Sequence, residues 1–89
     1  MTNAKFFRDI VTDILISKNK EIKVEDLYLN QTLMYYSLSY MPKYPEKTAA
    51  DFVVYRNVFD GTMSLYSNLD AMIPTIRHFE NMSDFNLRL

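Results

Sequence analysis

A single glycine, Gly61, serves all 89 residues, and only three prolines accompany it. Tight turns with positive φ fall to glycine by default. A chain so poor in it has little material for a succession of hairpins or for a Gly-rich phosphate loop. The expectation is an all-α fold, a compact bundle of four to five short helices. At 10.6 kDa the chain is one domain, which by surface scaling buries roughly 60–65% of the surface it exposes when unfolded. That is enough for one small core and too little for a two-domain enzyme with a cleft between its halves. Apolar residues make up 48% and charged residues 24%, a balance that argues against disorder.

Ten basic residues nearly cancel eleven acidic ones. A net charge of −1 gives no global pull toward nucleic acid or an anionic membrane. The absence of cysteine excludes disulfides, thiolate zinc sites, iron–sulfur clusters and cysteine nucleophiles, and suits a reducing compartment. No apolar run approaches the ~18 residues of a membrane helix. The N-terminus, with Asp9 early and no clean apolar stretch, does not read as a signal peptide. The expected location is the cytoplasm, that of the host cell if the chain is phage-encoded.

Along the chain, Phe6, Phe7, Ile10, Val11, Ile14 and Leu15 form the i, i+3/i+4 stripe of an amphipathic helix over Asn3 to about Lys18. Thr2 or Asn3 suits its cap, and Lys18 and Lys20 suit its negative end. Residues 19–29 read as an irregular connection. A second helix is expected over Asn30–Met41, apolar around much of its circumference and ended by Pro42 and Pro45. A third is expected over Glu46–Phe59, stopped by Asp60-Gly61. A fourth runs from Thr62 to Ile73 before Pro74, and a short fifth over about Thr75–Met82. Residues 1–82 thus read as one helical domain and 83–89 as a frayed tail.

No constellation points to catalysis. His78 is the only histidine, and metal sites want several His, Cys or carboxylate ligands. A serine could pair with it, yet no nucleophile elbow supports such a pair. Asp9 and Asp13 share a helical face, which reads as solvated surface before it reads as a metal site. No Walker A sequence, dinucleotide fingerprint or zinc pattern occurs. The expectation is a chain that is not an enzyme, with no catalytic residue, no metal and no cofactor. Seven tyrosines, four of them at Tyr35, Tyr36, Tyr40 and Tyr44, and six methionines suit either core packing or a protein interface. Stacking on single-stranded nucleic acid also uses aromatics but wants a basic groove, and only Lys43 and Lys47 lie near.

Three stretches in order resemble the small subunit of the sliding-clamp loader of T-even-type phages. Phe6-Phe7-Arg8-Asp9-Ile10 is similar to that family's Phe-Phe-x-x-Ile helix opening. Ser37-Leu38-Ser39-Tyr40-Met41-Pro42 resembles its Ser/Ala-Leu-Ser-x-Phe-Pro segment, with Met41 in place of Phe. Leu69 to Phe79 resembles a helix end of Leu-x-x-x-Val-Pro followed by a basic pair and an aromatic. The family's strongly basic third stretch is reduced here to Arg77 and His78, followed by Glu80-Asn81-Met82. The resemblance implies a non-catalytic adaptor that joins clamp-loader ATPase subunits through a helical collar and meets DNA only through the complex. Expected partner contacts are Tyr36, Tyr40 and Met41, with Arg77 and His78 as a polar site. The alternative is a free-standing small phage or bacterial protein that binds and inhibits a host protein. Self-association through an unpaired apolar face is also open.

Overall fold

The computed structural model describes residues 3–42, 50–67 and 75–89. Its element order is α1 (Asn3–Lys18), a 3₁₀ turn (Val24–Asp26), β1 (Leu27–Gln31), β2 (Tyr35–Tyr40), β3 (Phe52–Asn57), β4 (Met63–Ser67), β5 (Thr75–Phe79) and α2 (Met82–Arg88). The five strands form one antiparallel sheet in sequence order. The molecule is therefore mainly β, a sheet with only two helices among the described residues, and the expected helical bundle is overturned.

The first helix forms where the periodicity predicts it, Asn3–Lys18. It buries Ala4, Phe7, Val11, Ile14 and Leu15, a stripe narrower than the sequence pattern, with Phe6 and Ile10 at its exposed margin. Asn3 is the first helical residue, and the expected cap at Thr2 lies outside the described residues. The stripe lies on one face of the sheet, where Phe7, Val11, Ile14 and Leu15 join Leu38, Val54, Met63 and Phe79 in a single core. Full burial of a side chain such as Leu38 or Val54 contributes about 1.5–3 kcal/mol.

Each of the other expected helices is corrected by a strand. Asn30–Met41 holds the end of β1, a turn and β2. Its apolar character all round the helical wheel is the mark of period 2, since Tyr36, Leu38 and Tyr40 share the inner face while Tyr35, Ser37 and Ser39 share the outer one. Within the expected Glu46–Phe59 helix, residues 46–49 lie outside the described residues and Phe52–Asn57 form β3. Thr62–Ile73 contains β4, with residues 68–73 outside the described residues. Thr75–Met82 contains β5. Met63 and Tyr66, or Ile76 and Phe79, stand three apart like helical neighbours but point to opposite faces of the sheet. The stretch 83–89 is not frayed: Met82–Arg88 is a helix whose Phe85 is fully buried. Asn81 caps it by accepting the Asp84 N–H.

The scarcity of glycine is met by side-chain turn chemistry. Thr32 Oγ1 accepts the N–H groups of Met34 and Tyr35 at 3.3 and 3.0 Å, closing the β1–β2 turn. Asn57 Oδ1 accepts those of Phe59 and Asp60 at 2.8 and 3.2 Å in the β3–β4 loop. Threonine and asparagine thus replace backbone turns. Among the described residues only Gly61 has a positive φ, +74°, so one glycine is enough for these two hairpins.

Candidate functional site

α1 covers one face of the sheet and leaves the other open. The register sets what that open face displays. One row runs across all five strands as Asn30, Ser37, Tyr55, Ser64 and His78. The next runs as Tyr28, Ser39, Val53, Tyr66 and Ile76. Tyr35 stands opposite Asn57 beyond the first row. Ser37 and Ser39 on β2 and Ser64 on β4 leave low positions on either side of Tyr55 and Val53, which stand on the central strand, and Tyr66 follows Ser64 on β4. The result is a shallow groove of about 540 Å³ that carries no Lys, Arg, Asp or Glu along its lining. Its one imidazole, His78, meets Ser64 with Nδ1 and Oγ 3.0 Å apart.

This composition has a definite chemistry. Tyrosine offers a large, rigid, amphipathic surface at low entropic cost, and serine and asparagine offer adaptable hydrogen bonds. Antibody-combining surfaces use the same mixture. An uncharged groove favours a neutral protein surface over phosphate or nucleic acid, which call for Lys and Arg. The Ser64–His78 hydrogen bond is the serine partner that the sequence left unspecified. Both side chains are part of the sheet surface, Ser64 within β4 and His78 within β5. The contact is between two side chains, whereas a triad needs a third group to orient its imidazole.

The residues expected to bind a partner are divided by the fold. Tyr36 and Tyr40 point to the helix-covered face, where Tyr36 meets Phe7 with ring centroids 5.9 Å apart and Tyr40 stacks on Phe52 at 5.0 Å. Met41 follows β2, its side chain exposed and its N–H given to the Asp26 carbonyl. Arg77 and His78, adjacent in sequence, lie on opposite faces of β5. Arg77 donates to the Arg88 carbonyl at 2.7 Å and sits over the Phe79 ring, while only His78 reaches the groove. Tyr28, Tyr55 and Tyr66 were not singled out by sequence as partner contacts; the period-2 spacing of Ser64 and Tyr66 in Met63–Ser67 carries that signal for Tyr66 alone.

Asp9 and Asp13 border a second concavity with Arg8, Thr12, Val24 and Leu27. Arg8 pairs with Asp9 at 3.1 Å. Among the described residues no group of three His, Cys, Asp or Glu side chains could hold a metal ion. No helix among them is long and apolar enough to cross a membrane. Comparison with protein-family models, with curated proteins and with solved structures gives no match for this chain.

Proposed function

We propose that this chain is a non-catalytic protein-recognition module and that the open face of its sheet is the recognition surface. The observation that supports the reading is the uncharged tyrosine–serine face spanning all five strands, opposite the face that α1 uses for the core. Binding energy comes from the tyrosines acting as rigid anchors, with the serine floor and His78 supplying hydrogen bonds to the partner's polar groups.

The helical collar implied by the clamp-loader resemblance needs helices at Asn30–Met41 and beyond, and strands stand there instead. The adaptor and inhibitor readings share binding to a protein without catalysis. An adaptor role among ATPase subunits and inhibition of a host protein differ in what the face recruits. Affinity capture of the tagged protein from its native background tests the reading. Stoichiometric recovery of a protein that is lost in the Tyr55→Ala/Tyr66→Ala double variant, at unchanged circular dichroism, supports it. Several copies of one ATPase per chain mark the adaptor, and one copy of another protein marks the inhibitor. Recovery that is indifferent to both tyrosines removes the open face from binding.

A further inference from the structure

The two edges of the sheet are finished differently. On β5 the Arg88 guanidinium donates to the His78 carbonyl at 3.3 Å, and Arg77, on the strand itself, donates to the Arg88 carbonyl at 2.7 Å. Charged side chains and a covering helix keep an edge strand from pairing with another chain. β1 carries no such guard in its own sequence. Leu27-Tyr28-Leu29-Asn30-Gln31 holds no charge, no proline and no glycine, and it pairs with β2 residue for residue without a bulge. Asn30 and Gln31 are exposed, and Tyr28 is nearly half exposed.

Two bonds at the ends of β1 fix which of its backbone groups face outward. The Met41 N–H donates to the Asp26 carbonyl and the Thr32 N–H to the Tyr35 carbonyl, both at 2.8 Å. In an antiparallel ladder alternate residues bond the neighbouring strand. Tyr28 and Asn30 therefore turn their N–H and C=O groups toward β2, while Leu27, Leu29 and Gln31 turn theirs away from it. The Leu27 N–H is taken by the Val24 carbonyl. Among the described residues no backbone group bonds the Leu29 and Gln31 N–H groups. Donors and acceptors that recur at every second residue are matched by another extended strand.

We infer that a second copy of this chain pairs antiparallel with β1 about a two-fold axis at Leu29, joining the two sheets into one. Each Leu29 N–H meets the other Leu29 carbonyl, and each Gln31 N–H meets the Leu27 carbonyl of the second copy. On the open face Tyr28 stands opposite Asn30 of the second copy, and on the helix face the two Leu29 side chains meet. Spacing favours a second copy over a foreign strand. α1 lies over β1 and β2, and strands stand ~4.8 Å apart, so the two-fold sets the two α1 axes about 10 Å apart, close to the ordinary packing distance of helices. Charge favours it too. Arg8, Asp9 and Asp13 border the concavity between α1 and Leu27. Antiparallel helices bring Arg8 of one copy toward Asp13 of the other, and opposite signs meet. A net charge of −1 adds little repulsion between copies. The contact is isologous, and the guarded β5 edges stop further addition, so association closes at a dimer. The inference stands apart from the recognition reading; the pairing sets two open grooves side by side, with Asn30 lining each.

The test follows the purified full chain by sedimentation over a concentration series. The expected result is a reversible dimer. Gln31→Pro deletes an N–H that faces away from β2, a place where a strand tolerates proline. It is expected to weaken the dimer at least about tenfold, for the hydrogen bond lost from each copy, at unchanged circular dichroism. Because the chain has no cysteine, introduced ones report the register. Tyr28→Cys and Asn30→Cys, mixed and oxidised, are expected to form a disulfide-linked pair in far higher yield than either variant alone, since each position faces the other across the axis. If Gln31→Pro disturbs the circular dichroism, the cysteine pair decides alone. A chain that stays monomeric throughout the series, a dimer indifferent to a folded Gln31→Pro, or equal cross-linking in mixed and single populations each overturns the inference. A monomer that captures a foreign protein, lost in Gln31→Pro, assigns the edge to another chain and overturns it as well.

Discussion

Phe79 at the end of β5 and Phe85 in α2 meet edge to face, with ring centroids 5.0 Å apart and planes at 83°. The guanidinium groups of Arg77 and Arg88 lie over the same Phe79 ring, 5.2 and 5.0 Å from its centroid. Arg88 also reaches the His78 carbonyl at 3.3 Å and the Asp84 carboxylate at 2.9 Å. The last seven-residue helix is thus locked to the edge strand by one buried aromatic and a cationic cover.

From this lock, Phe85→Ala is expected to cost about 3–5 kcal/mol, the range for deleting a buried phenylalanine. That is a large share of the ~5–15 kcal/mol available to a domain. Urea unfolding followed by circular dichroism checks it. A change below ~1 kcal/mol would return the C-terminus to the status of a tail.

Tyr40→Ala is expected to act on folding. Its ring stacks on Phe52 at 5.0 Å and packs against the core, so the loss of area and stacking amounts to about 2–4 kcal/mol. Tyr55→Ala, on the open face, is expected to cost under ~1 kcal/mol of stability while weakening partner binding by about 1–3 kcal/mol. Paired melting and binding measurements separate the two. Equal stability losses would contradict the division of tyrosines between the two faces.

Gly61→Ala is expected to destabilise by about 1–2 kcal/mol. A Cβ there would find its nearest heavy atom, in the Arg56 side chain, at 3.7 Å, so space is available and the cost is the left-handed backbone at φ +74°. Gly61→Asn is expected to cost less, because asparagine tolerates that region. Thermal melts of the two variants against the parent give the order.

Acid is expected to loosen the β3–β4 loop and α2 together. Thr62 holds the Asp60 carboxyl below its ordinary range, and the Glu80 N–H, helped by Arg88, does the same for Asp84. Because the folded pKa values lie below the unfolded ones, this stabilisation is present above the ordinary carboxylate range and is lost as pH falls through the folded values. The melting temperature should therefore fall below about pH 4. It should fall less steeply in Asp60→Asn/Asp84→Asn, where neither group titrates. A parallel fall in parent and variant would assign the acid sensitivity to other carboxylates.

The candidate surface was legible only in part. His78 stood out as the lone histidine, and it does reach the groove. Tyr36 and Tyr40 stood out as a tyrosine cluster, yet period 2 turns both inward and turns Tyr35 outward. Arg77 and His78 read as one polar pair, and a strand places consecutive side chains on opposite faces. Tyr28, Tyr55 and Tyr66 lie far apart in sequence, and strand register alone brings them to one face.

By itself the sequence determined α1, because 16 residues with a sustained 3.6 period have one amphipathic solution. It also determined the single place where the described backbone turns left-handed, because only Gly61 lacks a Cβ. The remaining elements were decided by tertiary structure. Strands of five or six residues are too short for period 2 and period 3.6 to separate, and their apolar i, i+3 coincidences imitate a helix. Pairing resolves the ambiguity, since a strand satisfies its backbone only through its neighbours and each register exposes one set of side chains. The low glycine content did not forbid hairpins, because Thr32, Asn57 and Asp60 supply the turn hydrogen bonds from their side chains. Which side chains α1 covers, and which remain open to a partner, follows from the sheet as a whole.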